Sequence, residues 1–135
     1  MKKICIHTDG GSRGNPGKAA IGIVIFDDKD KIIENYKETI GVTTNNVAEY
    51  SAVIKALELA KKYTTEEINL FSDSELTVRQ LNGEYKVKQE HLQKLYHKAK
   101  ENEKAFKKVT YEHVRREHPH QFKADALVNQ ALDGV

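Results

Sequence analysis

Short apolar runs recur through the first 40 positions of the chain, and their lengths are those of strands. Residues 4–8 form one run, residues 21–26 a second that is rich in β-branched side chains, and residues 32–40 a third. Asp27-Asp28-Lys29-Asp30, between the second and third, has the composition of a hairpin turn. Between the first and second lies Asp9-Gly10-Gly11-Ser12-Arg13-Gly14-Asn15-Pro16-Gly17, whose glycine and proline content predicts a loop rather than strand. From Val47 the period changes. Val47, Tyr50, Ile54, Leu57 and Ala60/Lys61 follow the 3.6-residue repeat of a helix over 47–62, with Thr43-Thr44-Asn45-Asn46 as its cap candidates. Residues 68–72 read as a buried strand, followed by a short helix to Leu81 that Asn82-Gly83 should stop. A helix over 91–104 turns Leu92, Leu95, Tyr96 and Ala99 inward, and residues 109–114 alternate as a fifth strand. Ala124, Leu127, Val128, Ala131 and Leu132 mark a last helix.

Three strands followed by strand–helix alternation predict an α/β fold. The expected sheet is five-stranded and mixed, with three antiparallel N-terminal strands, two further parallel strands and helices on both faces. The crossover from the first strand to the fourth passes through a helix, so those two can be parallel neighbours. A length of 135 residues is that of one domain, taken here as 1–135, and no repeat or long linker divides it.

Composition narrows the partners. No apolar run approaches the roughly 20 residues that span a bilayer, so no membrane role is expected. The N-terminal segment reaches His7 and Asp9 too early for a signal peptide, which points to the cytoplasm. The lone Cys5 fits a reducing compartment and, lying in an apolar strand, is expected to be buried and inert. A monomer is the default for this size. The net charge of +2 excludes little, but residues 83–123 carry eleven Lys and Arg against six Glu. Such a segment is either a solvated helix face or a surface that tracks phosphates.

The acidic residues hold the chemical signal. Asp9 is expected at the C-terminal end of the first strand and Asp73 at that of the fourth, the end where open α/β sheets place ligands. Glu49 lies in the first turn of the long helix and can approach the same edge, and Asp125, beginning the last helix, can close the site. Converging carboxylates repel each other and raise each other's pKa, a conflict that a divalent cation removes. Hard oxygen ligands without a Cys or His pair favour Mg²⁺ or Mn²⁺ over Zn²⁺. The span from Gly11 to Lys18 superficially suggests a phosphate-binding P-loop, but its spacing is wrong and Ala19 stands where Ser or Thr is required.

The flanking residues carry more. Thr8-Asp9-Gly10-Gly11-Ser12-Arg13-Gly14-Asn15-Pro16-Gly17, Thr44-Asn45-Asn46-Val47-Ala48-Glu49, Ser72-Asp73-Ser74 and Ala124-Asp125-Ala126-Leu127 occur in this order, nearly end to end. This set resembles the type 1 ribonuclease H family, in a compact form without the basic protrusion. The resemblance implies a ribonuclease H-like fold and a metal-dependent endoribonuclease that hydrolyses the RNA strand of RNA–DNA hybrids. Asp9, Glu49, Asp73 and Asp125 would be catalytic and would hold two Mg²⁺ ions, with Mn²⁺ as a substitute, and the products would end in 5′-phosphate and 3′-hydroxyl. Gly10 and Gly11 would admit the RNA backbone. Asn15, Asn45 and Ser74 would read the minor groove or 2′-hydroxyls. Thr44 would grip a phosphate of the DNA strand.

Three features depart from the family pattern. Asn82-Gly83-Glu84-Tyr85-Lys86-Val87-Lys88 joins two helices where many relatives carry a basic, tryptophan-rich handle, and this chain has no Trp. No separate hybrid-binding domain is expected within these 135 residues. In the loop before Asp125, Gln121 stands where the family often has Asn, and His118 and His120 are candidates for a role in product release. The alternative reading is a hybrid-binding protein of the same fold with weak or no catalysis.

Overall fold

The computed structural model describes residues 2–135. Its order is β1 (Lys3–Arg13), β2 (Gly17–Phe26), β3 (Ile32–Thr43), α1 (Asn45–Ala60), β4 (Glu67–Ser72), α2 (Glu75–Leu81), α3 (Glu90–Glu103), β5 (Lys108–His113) and α4 (Pro119–Asp133). The five strands form one sheet in the order β3-β2-β1-β4-β5. β1 is antiparallel to β2 and parallel to β4, and β5 is parallel to β4. The expected mixed sheet is therefore present.

Alternation along β1 divides its side chains between two layers. Ile4 and Ile6, with Ile21, Ile23 and Ile25 of β2, join Tyr50, Val53 and Leu57 of α1 and Leu92 and Ala99 of α3 in the main core. The opposite face packs a smaller cluster of Val24, Phe26 and Ala124, flanked by Cys5 and Leu127, beneath α4. Cys5 is only half-buried there, and burial still pushes its thiol pKa up, which keeps it protonated.

Caps and turns follow local chemistry. Thr44 caps α1, its hydroxyl accepting from the Val47 amide at 3.3 Å, and Ser74 caps α2 by accepting from Thr77 at 3.3 Å. Asn82 ends α2, and Gly83 at φ +78° turns the chain away as the pattern predicts. The Asp27 carboxylate accepts from the amides of Lys29 and Lys31, both at 2.9 Å, and so closes the β2–β3 hairpin.

Two boundaries correct the sequence reading. The tract after Asp9 is not a loop up to Gly17, because β1 continues to Arg13 and pairs with β2 as far as Arg13↔Lys18. Sheet pairing overrides the low strand propensity of Gly10 and Gly11. Asp9 thus lies inside β1, yet still one residue beyond the parallel ladder with β4, which ends at Thr8↔Ser72. Second, α4 begins at Pro119, so Asp125 sits within the helix rather than at its start. His118 supplies the cap, its Nδ1 accepting from the His120 amide at 3.2 Å, and Pro119 fits the first turn, where no amide donor is needed.

Candidate active site

The parallel pairing of β1 with β4 brings Asp9 and Asp73 to one edge of the sheet, and the first turns of α1 deliver Glu49 to the same point. One carboxylate oxygen from each of Asp9, Glu49 and Asp73 lies within 4.8 Å of the others. They line a cleft of about 430 Å³ together with Gly10, Gly11, Asn45, Ser74, Arg116 and Asp125. Asp125 is on the wall of the cleft but outside that tight triad.

Glu49 is held on both oxygens. Oε1 accepts from the Gly10 amide at 2.9 Å, and Oε2 accepts from the Ser72 hydroxyl at 3.1 Å. Asp9 is 4% exposed and Glu49 7%. Burial first, then the charges of Glu49, Asp73 and Asp125, pushes the Asp9 carboxyl well above the usual carboxylate range. Burial and Asp73 push Glu49 up as well, against the two hydrogen bonds that favour its anion. The donor set consists of hard oxygens only and crowds like charge that the single Arg116 offsets only in part, which is the chemistry that a Mg²⁺-type ion fits.

The glycines divide their roles. A Cβ on Gly10 would stand 2.3 Å from the carbonyl carbon and oxygen of Ala48 and 2.6 Å from the Glu49 amide nitrogen. Glycine there is required by the seating of α1 against β1, whatever binds in the cleft. At Gly11 the nearest atom to such a Cβ is Val128 Cγ1 at 3.8 Å, so packing alone does not require glycine.

The polar residues named from the sequence are placed unevenly. Asn45 Oδ1 accepts from the backbone N–H and hydroxyl of Ser12 at 2.9 and 3.0 Å, and the Asn45 backbone N–H donates to Asn15 Oδ1 at 3.1 Å. Asn15 thus supports Asn45 from outside the cleft lining. Thr44 is likewise off the wall.

His118, His120 and Gln121 do not line the cleft either. Gln121 is buried, donating from Nε2 to the Thr8 carbonyl at 2.7 Å while its Oε1 meets His7 Nδ1 at 3.0 Å. It ties α4 to β1 just ahead of Asp9. His118 stacks on His7 with ring centres 5.1 Å apart, and His120 contacts Asp30 at 2.8 Å.

Two groups on the cleft wall were not singled out from the sequence. Arg116 Nε lies 3.2 Å from Asp73 and 3.8 Å from Asp125. Asn129 donates to the Asp125 backbone carbonyl at 3.2 Å and to its carboxylate at 3.4 Å. The signal for Arg116 was its place just after the fifth strand, since the β4–β5 register sets Ser72 beside His113.

An α/β domain with an acidic triad, two of its members buried, at a parallel strand edge defines the class, and comparison with known proteins makes it specific. Residues 7–131 match the family model described as reverse transcriptase-like. A bifunctional protein of Mycobacterium tuberculosis is 42% identical over 134 residues, covering 98% of this chain and 36% of that protein. The ribonuclease HI of Halobacterium salinarum is 39% identical over 131 residues, covering 97% of this chain and 65% of that protein. This chain therefore spans only part of the length of these relatives. The crystal structure of the Halobacterium salinarum RNase H1 superposes with a TM-score of 0.92 at 38% identity, covering 98% and 99% of the two chains. LC11-RNase H1, solved in complex with an RNA/DNA hybrid, gives 0.89 at 43% identity, covering 97% of each chain. The chain belongs to the type 1 ribonuclease H family.

Proposed function

We propose that this chain is an endoribonuclease that hydrolyses the RNA strand of RNA–DNA hybrids, leaving 5′-phosphate and 3′-hydroxyl ends. The observation that carries the reading is the approach of Asp9, Glu49 and Asp73 to within 4.8 Å in an open cleft. The likeness to LC11-RNase H1 bound to a hybrid supports the choice of substrate.

Asp9, Glu49, Asp73 and Asp125 would hold two Mg²⁺ ions, which when bound supply a nucleophile from water and stabilise the leaving oxygen. The chain's own contribution is positioning. Gly10 and Ser72 fix the two oxygens of Glu49, so its orientation is set before anything binds. The open Gly11 edge of β1 lets a sugar–phosphate backbone approach. Asn45 has its side-chain oxygen committed to Ser12, which leaves its Nδ2 as the donor toward a 2′-hydroxyl, the group that separates RNA from DNA. Ser74, on the cleft wall, belongs to the same polar rim. Thr44, half-buried as the cap of α1 with its hydroxyl accepting from the Val47 amide, is assigned by the same reading to a phosphate of the DNA strand. Contacts of this kind read shape and backbone rather than sequence.

The test is cleavage of a labelled hybrid beside RNA–RNA and DNA–DNA duplexes, with Mg²⁺, Mn²⁺ or chelator, and with Asp9→Asn in parallel. The expected result is metal-dependent cutting of the hybrid alone, abolished by the substitution. Binding of the hybrid without cutting in either metal would instead support the binding-protein reading. Cutting of all three duplexes would refute hybrid specificity.

A further inference from the structure

The loop from β5 to α4 puts a cation inside the acidic cleft. Arg116 Nε lies between Oδ2 of Asp73 at 3.2 Å and Oδ1 of Asp125 at 3.8 Å. The other arginine on the wall, Arg13, is engaged elsewhere, with Asp133 at 2.6 Å and Asn129 at 3.4 Å. The side chains of Asp73 and Asp125 are 10% and 22% exposed, whereas that of Arg116 is 67% exposed. The guanidinium therefore caps the carboxylates from the solvent side and is free to leave. Arg116 also lines a second, open hollow with Asp73, His113, Arg115 and Glu117, so its side chain is not walled in.

Resting on the function proposed above, we infer that Arg116 is a switching residue. In the metal-free protein it holds Asp73 and Asp125 together. It yields those oxygens when a divalent ion binds, and it then engages a phosphate of the substrate strand.

Two physical facts require the exchange. A Mg²⁺ ion sits about 2.1 Å from its oxygen ligands, and a guanidinium bonded to the same carboxylates both occupies lone pairs and repels the ion. Once displaced, the planar guanidinium fork remains beside the phosphate's place in the cleft, and it matches two phosphate oxygens as well as it matches a carboxylate. The compensation is direct, because the protein loses no cation at the site and instead re-aims one.

The experiment compares the wild type with Arg116→Gln, an exposed substitution that removes the charge and keeps much of the length. Calorimetric titration with Mg²⁺ alone should show binding about three- to tenfold tighter in the variant, the range expected from losing a solvent-exposed competing cation. Steady-state hybrid cleavage at saturating Mg²⁺ should then show KM raised about tenfold, with kcat changed less. The slope of log(kcat/KM) against log[salt] should fall by about one, the signature of one lost phosphate contact. Arg116→Lys, with charge but no fork, should restore the salt slope and only part of KM. Equal or weaker Mg²⁺ binding by Arg116→Gln overturns the competition, and unchanged KM and salt slope overturn the phosphate step. If the wild type binds Mg²⁺ but cuts no hybrid, the proposed function fails, and the titration still judges the arginine.

Discussion

Replacing Asp9 by Asn should make the metal-free protein more stable, although it should abolish cleavage. Asp9 lies at 4% exposure, with carboxylate oxygens of Glu49 and Asp73 within 4.8 Å. Two unit charges at that separation repel by about 3–4 kcal/mol at an effective dielectric of 20, and by about 1 kcal/mol in water. Part of this is already relieved in the wild type, because the raised carboxyl pKa values keep protons on the cluster. A net gain of about 1–3 kcal/mol is expected for the variant at pH 8, or a melting temperature higher by about 3–10 °C in a domain of this size.

The pH dependence has a definite sign. A carboxyl whose pKa is raised on folding binds more protons in the folded state, so wild-type stability is greatest near or below the unfolded value of about 4 and falls as pH rises above it. The advantage of Asp9→Asn should therefore be small at pH 5 and large at pH 8. Thermal melts by circular dichroism in chelator at the two pH values measure it. Saturating Mg²⁺ should reverse the order, since an ion at a hundred times its Kd adds about 2.7 kcal/mol to the form that binds it. A variant that melts at or below the wild type at pH 8 in chelator would refute the picture of a strained acidic cluster.

Other perturbations probe the scaffold around that cluster. Gly10→Ala, with its Cβ 2.3 Å from Ala48 backbone atoms, should cost at least about 2 kcal/mol in urea melts and should also reduce Mg²⁺ affinity, because Glu49 moves with α1. Gln121→Leu leaves the Thr8 carbonyl and His7 without their buried partner and should cost about 1–3 kcal/mol by the same measurement. Ser72→Ala removes a hydrogen bond that favours ionised Glu49, so metal-free Glu49 should titrate still higher in carboxyl NMR, and a lower value would contradict the assignment. Mg²⁺ binding at pH 7 should release protons from Asp9 and Glu49, seen as a buffer-dependent calorimetric enthalpy, and a buffer-independent enthalpy would argue against their raised pKa values.

Periodicity made most of the elements legible in the sequence. The helical repeat from Val47 to Ala60 and the isoleucine-rich runs of β1 and β2 each bury one face against a large core, so local pattern and tertiary environment agree. The second half of β1 was hidden because Gly10, Gly11 and Ser12 have poor strand propensity, and only pairing with Ile21, Ala20 and Ala19 of β2 makes them extended. The early start of α4 was hidden because its first turns bury Gln121 and expose Phe122, inverting the apolar rule. The motifs did locate all four acids, yet they could not separate the tight triad from Asp125. Nor could they show that Gly10 serves the packing of α1, or that an exposed Arg116 turns back onto the carboxylates, since both depend on register between distant segments.

The sheet's two faces are unequally furnished, and the site straddles them. Asp9 lies in β1, Glu49 in α1 and Asp73 directly after β4, all elements anchored in the large apolar layer, whereas Asp125 rides on α4 over the few residues around Val24, Phe26 and Ala124. Heat should therefore loosen the lighter layer first, and it would carry one acid away while three stay assembled. On that reading the proposed cleavage should be lost before the fold is. The temperature range of such an activity would then be set by how firmly one helix lies on its bed, and strengthening that bed would extend the range without altering any of the four acids.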